Sequence, residues 1–190
     1  MDAYINLVKE AIKQYLLHGQ TIEPAKDLPA EMLSTQAGVF VCFKNKGELR
    51  GCIGTFMPTQ ENVAEEIINS TISAATQDPR FLPVSAKELK DMTVSVDVLS
   101  TPELVADKDI KKLNPRIHGV MVKSEDGFAS GLLLPNLEGV KTVNQQIDIA
   151  CQKAGIDRQT DKFVVYKFTV VRHEEKWFIR RSPASRDKGG

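Results

Sequence analysis

Apolar residues recur at helical spacing near the start of the chain. Ile5, Val8, Ile12, Tyr15 and Leu16 fall on one face, with Asp2 placed to cap the helix and Gly19 to end it. Gln20 to Gln36 carries Pro24 and Pro29 and reads as an extended wrap. The pattern changes at Val39-Phe40-Val41-Cys42-Phe43, a short β-rich apolar run of the kind buried on both faces. A Lys44–Gly47 turn and a return through Glu48 to Thr55 predict a hairpin. Val63, Ala64, Ile67, Ile68, Thr71, Ile72 and Ala75 predict a second helix, with Thr59 as its cap. Two prolines in 78–83 fix an irregular loop. Ser85 and Glu88 form a capping box, with Val84 and Leu89 as a staple, for a short third helix.

Farther along, Val94, Val96 and Val98 alternate with Ser95 and Asp97, which predicts a half-buried strand over Thr93 to Leu99. Asp107 to Asn114 reads as a charged, exposed short helix or loop. The segments 117–123 and 128–134 flank Ser124-Glu125-Asp126-Gly127 and predict another hairpin. Thr142 and Gln145 make a capping box for a last helix through Val143, Ile147, Ala150, Cys151 and Ala154, stopped by Gly155. Residues 163–172 predict one long strand, and Trp177-Phe178-Ile179 a further short one. Helices and hairpins mix without regular βαβ alternation, so the expected fold class is α+β with a mostly antiparallel sheet flanked by helices.

Composition narrows the function classes. The 190 residues carry 25 basic and 25 acidic side chains, so the chain lacks the electrostatic footprint of a nucleic-acid binder; 6% aromatic content leaves few stacking platforms. No apolar run approaches the roughly 20 residues that cross a bilayer, and no signal peptide is apparent at the N-terminus. Cys42, Cys52 and Cys151 are odd in number and far apart, without CxxC spacing. They point away from a zinc site and from a disulfide framework, and towards a reducing cytoplasm. A Cys42–Cys52 bridge across the first hairpin is conceivable but disfavoured on that ground. No two histidines have ligand spacing, and no metal or other cofactor is expected from the residues.

Candidate chemistry concentrates in Leu49-Arg50-Gly51-Cys52-Ile53-Gly54-Thr55. Arg50 and Cys52 share a strand face, so the guanidinium could lower the thiol pKa and make Cys52 a nucleophile. Gly51 and Gly54 would admit a ligand to the backbone or offer N–H groups to an anion, and Thr55 adds a hydroxyl. The competing reading is a small packed cysteine beside glycines that relieve a tight strand crossing. The burial habits of free cysteine weigh towards it. Asp78 and Arg80 offer a carboxylate and a guanidinium to a polar ligand, or simply pair with each other at a helix stop. His118 is either a general base or a surface cap residue. His18 fits a helix C-terminus, His173 an exposed strand end, and Cys42 and Cys151 the core.

The stretch Leu49 to Thr55 also resembles the signature of the AMMECR domain family. The resemblance continues through Asp78-Pro79-Arg80-Phe81, Ser95 to Leu99, Gly131 to Pro135 and Lys153 to Ile156. Leu137 to Val140 with Asn144-Gln145-Gln146 resembles the prokaryotic branch, AmmeMemoRadiSam system protein A. The resemblance implies two lobes with a cleft lined by the signature, and a Memo-type protein and a radical-SAM protein as partners; it supplies no reaction. Family members often carry a basic residue just before the Gly-Leu-Leu-Leu-Pro run, where this chain has Ala129-Ser130.

The expectation is a family domain over residues 1–181, two lobes in one folding unit, with a basic disordered tail over 182–190. Its leading function is an enzyme or enzyme subunit acting on a small polar or anionic metabolite, with Cys52, Arg50, Asp78 and His118 as catalytic candidates. Gly51, Gly54, Thr55 and Arg80 are the ligand-binding candidates. The alternative is a non-catalytic binding or adaptor protein whose Arg50–Thr55 loop docks a partner or ligand.

Overall fold

The computed structural model describes residues 2–175. Two four-stranded sheets, antiparallel at every strand pair, divide these residues into two lobes. The first sheet has the order β2-β1-β3-β8, from β1 (Val39–Asn45), β2 (Glu48–Gly54), β3 (Met92–Leu99) and β8 (Val170–Glu174). The second has the order β4-β7-β5-β6, from β4 (Glu103–Val105), β5 (Gly119–Ser124), β6 (Ser130–Leu133) and β7 (Phe163–Phe168). Among the described residues no helix is long and apolar enough to cross a membrane.

The first core forms where α1 (Ala3–His18) and α3 (Val63–Thr76) cover one sheet face. Val39, Val41 and Phe43 of β1 meet Val94 and Val96 of β3 beneath Val8 and Ile67, all at most 6% exposed. This face is where the period-2 strands and the 3.6-period helices bury their apolar stripes together. Asp2 caps α1 by accepting from the Tyr4 and Ile5 amides, and Gly19 ends it at φ 67°. A short helix, α2 (Ala30–Ser34), interrupts the predicted wrap and buries Met32. In the second lobe α4 (Val143–Ala154), with its Thr142–Gln145 capping box, covers Val120, Val122, Leu133 and Val165. Gly131 lets α4 approach, because a Cβ there would overlap the Ala150 carbonyl oxygen.

Four expectations change. Helix α3 starts at Val63 with Asn62 as its cap, because Thr59 spends its polar groups on Glu66 instead. The segment 85–89 makes turns and a 3₁₀ turn at Leu89–Asp91 rather than a helix. Glu88 does accept from the Ser85 amide, as in a capping box, but a segment this short cannot repay helix nucleation. The long strand over 163–172 breaks at Thr169 into β7 and β8, which belong to different sheets. The break is tied to the other crossing between lobes: Ser100 N–H donates to Thr169 O at 2.9 Å and Thr169 N–H to Ser100 Oγ at 3.0 Å. His173, expected at an exposed strand end, stacks on Tyr4 at 3.8 Å and meets the Asp2 carboxylate. The predicted strand at 177–179 and the basic tail lie outside the described residues.

Candidate functional site

Strand β2 is an edge strand, and its polar neighbours are arranged to close that edge. Cys42 and Cys52 are directly opposed, Cα to Cα 4.1 Å, the spacing of a non-hydrogen-bonded antiparallel pair. At such a pair the backbone groups point away from the partner strand, so Cys52 N–H and C=O face outward. Asp78 Oδ2 accepts from Cys52 N–H at 2.8 Å, and Arg80 Nη2 donates to Cys52 O at 3.4 Å. The Arg80 guanidinium also forks onto Asp78 at 2.9 and 2.7 Å. Asp78 and Arg80 thus stand in for a missing neighbouring strand, which blunts the edge against pairing with another chain. The Arg80 guanidinium first, then the Cys52 and Arg80 amides, hold the Asp78 carboxyl well below the usual carboxylate range. It is therefore ionised and fully engaged at neutral pH.

Each other candidate in the signature also has a partner in the scaffold. Arg50 turns away from Cys52 to Glu88, at 2.7 and 3.3 Å, and to the carbonyls of Leu82 and Pro83. The Cys52 sulfur is bonded to Cys42, against the expectation of free thiols, because the register of β1 and β2 brings the two side chains together on one face. Gly51 and Gly54 serve close packing: a Cβ would overlap the Ala74 carbonyl at the first and the Val39 carbonyl at the second. Thr55 Oγ1 donates to Glu66 at 2.7 Å, away from the sulfur. His118 lies in the other lobe, where Nδ1 accepts from the Asn114 amide. Cys151 is free and buried, and burial pushes its thiol pKa up.

Glu88 carries a pH dependence. The Arg50 guanidinium, with the Ser85 amide next, lowers its carboxyl from 4.5 to about 2. A carboxyl depressed by folding adds stability above its unfolded pKa, and that stability is lost as pH falls through the folded value. Unfolding free energy is therefore expected to decline between about pH 4.5 and 2. Glu88→Gln should be less stable at pH 7 and show a shallower decline; parallel profiles in urea titrations would count against the pairing.

A cavity of about 560 Å³ lies on the face of the second sheet opposite α4. The register puts Met121, Lys123, Leu132, Ser130 and Tyr166 on this face. Thr101 and Pro102 from the β3–β4 connection form one wall, and Phe56 and Met57 from the first lobe form another. Phe56 is anchored edge-on to Phe168 at 5.2 Å between ring centroids. The cleft expected between lobes is thus lined by the two residues that follow the signature, and by none of residues 50–55.

Glu66 fixes that wall. The residue is 1% exposed, and its carboxylate collects Thr55 Oγ1, Thr59 N–H at 2.6 Å, Thr59 Oγ1 at 3.0 Å and Gln60 N–H at 2.9 Å. The 55–60 loop is wrapped around one buried carboxylate. Sequence patterning missed it; the available signal was a carboxylate three residues after Val63, on the flank of the helix's buried stripe. Among the described residues no cluster of three or more His, Cys, Asp or Glu side chains could hold a metal ion.

An antiparallel α+β protein of two sheets, with a cleft between lobes and a glycine-tight signature strand, is the class defined by this geometry. A family model described as AMMECR1 matches residues 5–173, and the chain belongs to that family. A Thermotoga maritima protein is 48% identical over 172 residues, covering 90% of this chain and 97% of the relative. A Clostridium acetobutylicum protein is 47% identical over 175 residues; this chain spans 36% of its length. The crystal structure of an uncharacterised Pyrococcus horikoshii protein superposes with a TM-score of 0.81 at 34% identity, covering 92% of this chain and 90% of that one.

Proposed function

We propose that this AMMECR1-family protein is a binding protein that takes a small molecule in the cavity between its lobes. One observation carries this reading: the signature side chains that could do chemistry are committed to the scaffold, while the adjoining cavity is open. Arg50 holds Glu88, Asp78 holds Arg80 and the Cys52 amide, and Cys52 is bonded to Cys42. The cavity volume is in the range of small-molecule sites, roughly 300–1,000 Å³. The enzyme reading, with Cys52 as nucleophile beside Memo-type and radical-SAM partners, requires the bridge to open and Arg50 to leave Glu88.

The test is a fragment screen read by amide chemical shifts, on the wild type and on a Cys42→Ser/Cys52→Ser variant. The variant loses a cross-link over a sequence separation of 10, worth about 3 kcal/mol. It should still fold and bind fragments at Met121, Leu132 and Tyr166 with affinity within about twofold of wild type. Fragments that cluster at 50–52 and are lost in the variant would return the thiol to the centre of the function.

A further inference from the structure

The chemistry of the cavity lining is asymmetric. Among the described residues lining it, Lys123 is the one charged side chain, and no carboxylate among the described residues lies within ion-pairing distance of it. Its stem crosses the mouth of the β5–β6 hairpin, with Cε 3.4 Å and Nζ 3.8 Å from where a Gly127 Cβ would stand. Lys123 pairs in register with Ser130, so the Ser130 hydroxyl and the lysine side chain stand on the same face of the sheet. One register step further in, Met121 faces Leu132 on one side and Tyr166 on the other, and Phe56, Met57 and Pro102 complete an apolar wall. Asp126, in the turn of the same hairpin, is engaged locally, accepting from Ser124 Oγ and the Phe128 amide. Among the described residues, Lys123 therefore has no compensating charge at its end of the apolar slot.

From this juxtaposition of one unpaired cation, a neighbouring hydroxyl and an apolar slot, we infer that the cavity selects a small organic anion. Such a ligand has a carboxylate or phosphate monoester head at Lys123 and Ser130, and an aromatic or aliphatic body along Met121, Leu132 and Tyr166. The inference rests on the cavity being the binding site. It adds the sign of the ligand's charge and its orientation. A lysine ammonium meets either head group as a point charge, so the site does not demand the planar fork that an arginine would impose.

Three probes separate the possibilities: 4-phenylbutyrate, 3-phenylpropyl phosphate and the uncharged 4-phenylbutyramide, titrated into the 190-residue chain with amide shifts as readout. Both acids should move the amides of residues 121, 123, 130 and 132, and at least one should bind roughly tenfold more tightly than the amide, as a charged hydrogen bond predicts. Lys123→Met should remove that advantage over the amide; Lys123→Arg should keep it. Equal binding of acids and amide, or acid binding indifferent to Lys123→Met, overturns the anion selectivity while leaving the cavity as a site. If none of the probes moves those amides, both the inference and the binding site beneath it fail. The relative preference for carboxylate over phosphate identifies the head group.

Discussion

Replacing Glu66 with Ala is expected to lower stability by about 3 kcal/mol and to abolish the ligand binding proposed for the cavity between the lobes. Glu66 is 1% exposed, and its carboxylate accepts from the hydroxyls of Thr55 and Thr59 and from two backbone amides. Removing it leaves donors in and near the core without partners, each costing about 1–3 kcal/mol where water cannot reach. It also frees the 55–60 loop, and with it Phe56 and Met57, which wall the cavity. For a chain of this size the thermal midpoint should fall by about 10 °C. Hydrogen exchange should show protection lost first at Thr59 and Gln60. Glu66→Gln keeps one acceptor oxygen but turns an amide donor towards existing donors, so it should fall between. Glu65→Gln, one residue away, changes a carboxylate whose contact is the Asn62 side chain, and is expected to cost under 1 kcal/mol. If Glu66→Ala and Glu65→Gln were equally stable, Glu66 would not organise the loop.

The second large effect is expected where β8 rejoins the first sheet. Asp97 is 2% exposed and lies opposite Arg172 across the β3–β8 ladder, with both oxygens bonded to the guanidinium at 2.6 Å. Without Arg172 the buried Asp97 carboxylate would lose the partner that both its oxygens share. Breaking such a pair from one side costs about 3–5 kcal/mol in buried sites. Arg172→Met is expected near the lower end, because the Arg172 side chain is 44% exposed. Strand β8 follows directly on the Thr169 crossing, so its loosening should raise exchange at 170–174 and reduce the coupling of the lobes. In a double-mutant cycle, Asp97→Asn with Arg172→Met should cost at least 1 kcal/mol less than the sum of the single changes. Strict additivity would mean that the two residues do not act as a pair.

These two carboxylates also mark the limit of what could be read along the chain. The sequence by itself determined the elements whose signals are local. Asp2 and Gly19 bound α1, Thr142, Gln145 and Gly155 bound α4, and the turns at 44–47 and 124–127 make hairpins. Caps, turns and hydrophobic periods act over a few residues, so the chain states them directly. The signature strand and the family were legible for the same reason.

Tertiary structure alone decided the rest. Whether Arg50 served Cys52 or another group depended on Glu88, 38 residues away in the chain. Whether Cys52 kept a free thiol depended on the register of β1 against β2. The alternation put Asp97 on the face opposite the valines, and its partner Arg172 came from β8; an unbroken run of strand-forming residues over 163–172 hid a change of sheet at Thr169. The cavity gathers residues from 56 to 166 that no local pattern links. Partner choice for a charge and assignment of a strand to a sheet are set by which distant surfaces meet, and that information belongs to the packed chain rather than to any window of it.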